Sequence, residues 1–191
     1  MEEGRNKIMK KRANIYLLII IGILIIIVSV QGISNTKLKK ARGELYYINI
    51  KYLKYDLETS HEYLFKEELW NKKLFERYYW KFNDIRYNAC NLPPNSFIGD
   101  YILYIAGGFQ ELSNTFEEKP RKDSTEKAKN QLVRSIAFLE HTIDSALIEY
   151  GENYLEYYKL NDKNSDISKK FNDALHKYYN ENIYVELLNL K

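Results

Sequence analysis

Residues 15–30 read IYLLIIIGILIIIVSV, a run of sixteen with no charge and only Tyr16 and Ser29 as polar side chains. Extended outward to Ala13 and Ile33, the low-polarity span covers 21 residues. A helix rises about 1.5 Å per residue, so about 20 residues cross a hydrocarbon core of about 30 Å. In lipid the backbone must satisfy its own hydrogen bonds, which imposes a helix. Tyr16 stands where an aromatic anchor meets the headgroups. Residues 13–33 therefore read as a transmembrane anchor, with the lipid bilayer as the first expected partner.

A cleaved signal peptide is the rival reading. Its apolar core is ordinarily about 7–15 residues and is followed by a small-residue cleavage site. The run here is longer, and Val30-Gln31-Gly32 is a poor match to such a site. No Cys lies just after the run, which excludes a lipoprotein signal. An uncleaved anchor is expected.

The flanks set the orientation. Residues 1–12 carry Arg5, Lys7, Lys10, Lys11 and Arg12; the far flank carries Lys37, Lys39, Lys40 and Arg42. The side richer in Lys and Arg stays in the cytoplasm. Five against four places residues 1–12 as a basic cytoplasmic tip and residues 34–191 outside the cell membrane. That tip, with Glu2 and Glu3, accounts for the whole net charge of +3, because residues 13–191 hold equal numbers of basic and acidic side chains. The basic balance thus gives no footing for nucleic-acid binding. One Cys, Cys90, rules out an internal disulfide and any Cys-based zinc site.

Beyond the anchor, apolar residues recur three and four apart, the period of a helix face. Leu38, Ala41, Leu45, Ile48, Tyr52 and Tyr55 form one stripe, and Leu74, Tyr78, Phe82, Ile85 and Ala89 another. Ile98, Ile102, Ile105, Phe109, Leu112 and Phe116 form a third. Leu132, Ile136, Leu139, Ile143, Ala146 and Tyr150 form a fourth, and Ile167, Phe171, Ala174 and Tyr178 a fifth. Each is read as a core face.

Breaks separate these stripes. Pro93-Pro94 cannot continue a helix, and Ser96 is placed to cap the next one. Pro120 ends a helix, and Asp123–Glu126 has capping-box spacing. Asn161–Ser165 reads as a polar turn. Thr59 and Glu62, also at capping-box spacing, mark a break without which residues 36–90 would be one very long helix. The expected fold is all-α: an N-terminal single transmembrane helix, then an antiparallel helical bundle of about five helices at 36–58, 61–90, 97–118, 124–160 and 165–188.

The helical part is rich in aromatic residues, with 17 of the 18 Tyr outside the anchor, plus Trp70 and Trp80. Buried Tyr and Trp need polar partners and suit margins and interfaces. Part of the Tyr content is compositional, since Lys, Asn and Ile are abundant too. Gly107-Gly108 interrupts the third stripe, at about 1 kcal/mol per Gly relative to Ala. The pair predicts a close approach by a bulky neighbour such as a Trp, or a kink. Basic residues 37–54 could meet anionic headgroups. Seven acids between Glu140 and Asp166 read as a solvated face that could attract a basic partner.

Catalytic constellations are missing from the sequence: no nucleophile elbow, no His-Glu-x-x-His, no P-loop and no dinucleotide fingerprint. His61, His141 and His176 are isolated, and Cys90 beside the Pro-Pro turn has no visible activating neighbour. Glu58-x-x-His61 and Asp173-x-x-His176 have the spacing of helical di-iron ligands, yet such a site needs two Glu-x-x-His motifs and further Glu residues. No catalytic, cofactor-binding or metal-binding residue is assigned. The expectation is a non-enzymatic protein acting by protein–protein contact at the cell envelope. The alternative is a sensor-type bundle holding a small ligand between Tyr- and Trp-rich helices. A sensor would need a partner to signal through, since no second span or output domain is legible. Oligomeric state is left open.

Overall fold

The computed structural model describes residues 2–66, 71–93, 97–115 and 122–183. Among the described residues the chain is helical and contains no strand. The helices are α1 (Glu2–Lys66), α2 (Lys72–Ala89), α3 (Ile98–Thr115), α4 (Lys122–Tyr150), α5 (Tyr154–Tyr158) and α6 (Asp166–Tyr178). A 3₁₀ turn covers Lys159–Asn161, and a π turn, Tyr179–Ile183, follows α6. Two compact units are present, Met1–Ala41 and Arg42–Lys191.

The first unit is helix throughout its described length. From Leu17 to Ile33 its large apolar side chains are not covered: Leu18 is 68% and Ile26 64% exposed. By length and composition this helix is able to cross a membrane. Thr36 bonds back to the Gly32 carbonyl at 3.0 Å, so its hydroxyl is satisfied within the helix.

In the second unit the stripes of α2, α3 and α4 are buried as their spacing demands, except that Tyr150 is half-buried and Phe116 lies outside the described residues. Phe75, Phe82, Ile98, Ile105, Phe109, Ile136 and Ile143 have no exposed surface. Each such side chain stabilises the fold by about 1.5–3 kcal/mol on burial. Phe109 of α3 stacks on Tyr78 and Phe82 of α2, with centroids 5.3 and 5.5 Å away. Tyr101 donates from its buried hydroxyl to the Ser135 carbonyl, 3.2 Å away in α4. On α6 the buried set is Ile167, Ser168, Phe171 and Leu175. Leu175 takes the place expected of Ala174, which is only half-buried.

The stripe on α1 does not face the core. Leu45 is 60%, Ile48 37%, Tyr52 68% and Tyr55 67% exposed. The residues that α1 buries are Gly43, Ile50, Leu53, Leu57, Ser60 and Leu64. At about 100° per residue these two sets lie about 140° apart around the helix. Both have helical spacing. The buried one is the face on which a glycine and a serine leave room for neighbours.

Two expected boundaries also move. The break at Thr59-Ser60 does not occur, and α1 runs through it to Lys66. Thr59 and Ser60 donate their hydroxyls to the Tyr55 and Asp56 carbonyls, 2.8 and 2.6 Å away, so neither acts as a cap. The cap is Asn71, whose side chain accepts from the Leu74 amide at 2.9 Å. The single helix expected over 124–160 divides at Gly151, whose φ of +52° lies in the left-handed region that ends helices. After α5 the chain turns where expected. Asp162 accepts from the Asn164 amide, and Ser165 caps α6 by accepting from Ser168. The Ser96 cap and the Pro120 stop fall outside the described residues, as do the side chains of Asp123–Thr125 and Trp70.

Gly108 does lie at a close approach, but the neighbour is Leu132 and not a Trp. A Cβ there would sit 2.5 Å from Leu132 Cδ2, while one at Gly107 would meet nothing within 4 Å.

Candidate functional site

Functional groups of the second unit gather in three places. The first is where α1 meets α4. Lys54 Nζ lies 2.5 Å from Asp144 Oδ1 and 3.4 Å from Glu58 Oε1. Two turns further along α1, His61 Nδ1 lies 3.0 Å from Glu140 Oε2. The hydrogen bond to Asp144 pushes the Lys54 pKa up, with Glu58 adding to it, against a smaller opposing effect of burial. A lysine held charged in this way is a poor nucleophile or base. All five acid and base partners stay partly open to water, so each pair contributes at most about 1 kcal/mol. The chemistry here is a polar clasp between two helices.

That clasp includes one of the two di-iron-like spacings. Glu58 turns to Lys54 and His61 to Glu140. In the other, His176 stacks on Phe97 with centroids 3.6 Å apart, and Asp173 lines a groove elsewhere on α6. The structure does not bring the two spacings together, and no group of three or more metal-ligating side chains occurs among the described residues.

The second place is that groove, an open space of about 420 Å³ between the end of α4 and α6. It is bordered by Glu149, Tyr150, Asp166, Lys169, Lys170 and Asp173. Lys170 pairs with Glu149, and that hydrogen bond lowers the Glu149 pKa. Burial, with Glu149 adjacent, pushes the Tyr150 phenol up to about 12. Glu149 and Lys170 are thus already paired with each other on a border of three carboxylates and two lysines. A smaller space of about 200 Å³ borders Arg86, Cys90 and Asp100. Cys90 is exposed there, just past the end of α2.

The third is aromatic. Tyr47 of α1 meets Tyr154 and Tyr157 at 5.6 and 5.1 Å, and Tyr150 meets Tyr157 at 6.4 Å. Gly43, one turn before Tyr47, permits this approach, because a Cβ on it would overlap the Tyr154 carbonyl. Tyr157 is fully buried, with its hydroxyl lacking a partner among the described residues. Burial raises its pKa first, and the neighbouring phenols add to the effect. A second aromatic group joins Phe97, Tyr104, Phe138, His176, Tyr178 and Tyr179, with Phe138 and Tyr178 stacked at 4.1 Å. In both groups the rings fill the space between helices with one another. Trp80 stands apart, 65% exposed against Tyr79.

The surface that sequence reasoning misplaced is the exposed face of α1. Leu45, Ile48, Tyr52 and Tyr55 keep a 3-4-3 spacing and lie outside the core. The signal for this was the small residues Gly43 and Ser60, which mark a competing face on the same helix. No family model matches the chain, and no curated protein or solved structure resembles it significantly.

Proposed function

We propose that this chain is a single-pass membrane protein that acts by protein–protein contact at the cell envelope, without catalysis of its own. The observation that carries the reading is the bare apolar helix behind a basic tip. Leu17 to Val30 present isoleucine, leucine and valine to the surroundings around the whole helix. In water that surface would be costly; in a bilayer it is the natural solvent contact. The greater Lys and Arg count of the tip supports a cytoplasmic N-terminus, with the second unit outside.

The second unit would be an antiparallel bundle. Lys54 pairs with Asp144 while His61, further along α1, pairs with Glu140, earlier in α4. The two helices thus run in opposite senses. A helical body with ion pairs between its helices and an exposed apolar face suits recognition of a protein better than turnover of a substrate.

Membrane fractionation with alkaline carbonate washing, joined to C-terminal alkaline-phosphatase and green-fluorescent-protein fusions, tests this reading. The expected result is a carbonate-resistant protein with an active phosphatase fusion and a dark fluorescent fusion. A mature protein starting near Ile33 and recovered free of membranes would overturn it, as would turnover traced to any side chain of the second unit.

A further inference from the structure

We infer that the exposed face of α1 in the second unit is a parallel, self-pairing seam, and that its occupant is a second copy of this chain. The orientation part of the inference rests on the membrane-anchored reading above. Leu45, Ile48, Tyr52 and Tyr55 occupy alternate a and d positions of a heptad, the 3.5-residue repeat by which helices pair in a left-handed coiled coil. All four are outside the core while α1 buries a different face. The helix is therefore already folded and supported from behind, and the seam costs little ordering on association.

The flanking charges select a second copy. With Leu45 and Tyr52 at a, Lys51 falls at g and Asp56 at e of the next heptad. In a parallel pair a g residue faces the e′ residue five positions later. Lys51 of each copy then meets Asp56 of the other, giving two complementary pairs by symmetry, and Glu44 meets Asn49 without repulsion. Lys51 is on the surface, its Nζ 5.3 Å from the centre of the Tyr47 ring.

Area sets the regime. Taking about 150–250 Å² for a whole Tyr, the four side chains offer on the order of 500 Å² per copy. A stable soluble dimer buries about 800 Å² per partner. The seam is thus too small to hold freely diffusing copies tightly. Confinement to one bilayer raises the effective concentration and fixes a parallel approach, which is the condition under which a small seam suffices.

The test uses the full chain in native membranes. Ile48→Cys in a Cys90→Ser background should give a disulfide-linked dimer on mild oxidation. Tyr87→Cys in the same background, on an exposed position of α2, should not. Lys51→Asp should lower the Ile48→Cys cross-link, and adding Asp56→Lys should restore it. Tyr52→Lys with Tyr55→Lys should abolish dimer at unchanged helicity, leaving the 22.8 kDa monomer in density-matched sedimentation. Equal cross-linking at positions 48 and 87, a monomer throughout, or no rescue by the charge swap would overturn the seam. So would a mixed complex in which position 48 links to a different protein or contacts lipid alone. Loss of the anchor reads out separately: the same cross-link recovered from soluble protein would keep the pairing and sink the membrane assignment.

Discussion

Gly43 packs flat against the main chain of Tyr154, where a methyl group would fall 2.7 Å from the Tyr154 carbonyl carbon. Backbone cannot yield as a flexible side chain does. Gly43→Ala should therefore destabilise the second unit by about 2–4 kcal/mol, above the usual overpacking cost of about 1–3 kcal/mol. Separation of α1 from α5 would also break the Tyr47 ring contacts. A denaturant midpoint equal to that of the unsubstituted protein would refute the close approach.

The adjacent glycines of α3 should respond in opposite directions. Gly107 has open space at its Cβ position, so Gly107→Ala gains helix propensity and should stabilise by about 0.5–1 kcal/mol. Gly108→Ala drives a methyl into Leu132 and should cost about 1–3 kcal/mol unless Leu132 changes rotamer. Thermal melts of the two variants side by side check both signs. Equal shifts would mean that Leu132 does not control this site.

Helix boundaries give a further contrast. Asn71→Ala removes a cap and should cost about 1 kcal/mol. Thr59→Ala removes only a hydroxyl that bonds back within α1, and should change stability by a few tenths of a kcal/mol. If Thr59→Ala proved the costlier change, the helix would break where the capping-box spacing placed it.

Alkali should unfold the second unit through its tyrosines. Burial raises the pKa values of Tyr101 and Tyr157 above the ordinary 10.0 and that of Tyr150 to about 12. A folded state that holds a proton more tightly than the unfolded chain is favoured in full below pH 10.0. That advantage falls as pH climbs from there toward the folded-state values. Stability measured against pH should decline above pH 10.0, with tyrosinate absorbance rising together with loss of helix. Phenols that ionise at their ordinary value while the helices stay intact would contradict the burial.

Tyr157→Phe separates the ring from its hydroxyl. The ring is packed at 0% exposure, and the hydroxyl has no partner among the described residues. Leaving such a group unsatisfied costs about 1–3 kcal/mol, so its removal should stabilise by about 1 kcal/mol. The same variant should flatten part of the alkaline decline. A destabilised Tyr157→Phe would show that the hydroxyl has a partner in solution.

Helical character, the apolar anchor-length run and the buried stripes of α2, α3 and α4 were all legible in residue order. Each depends only on local spacing: a 3-4 repeat fixes which side chains share a face, and 21 low-polarity residues fix a length. Asn71 was missed as a boundary because Thr59 and Ser60 carry the same capping chemistry, and Gly151 because the apolar spacing runs on past it while its left-handed backbone is set by the fold. Which hydroxyl caps and which bonds back depends on whether neighbouring turns remain packed. The candidate surface was harder still. Leu45 and Ile50 both sit on sound apolar stripes of α1, and nothing local ranks one above the other. The choice falls to the second unit as a whole: the side where Gly43 admits the Tyr154 backbone and Lys54 and His61 reach Asp144 and Glu140 becomes the inside. Spacing along one helix defines its faces, while only contacts from distant helices decide which face is withdrawn from water.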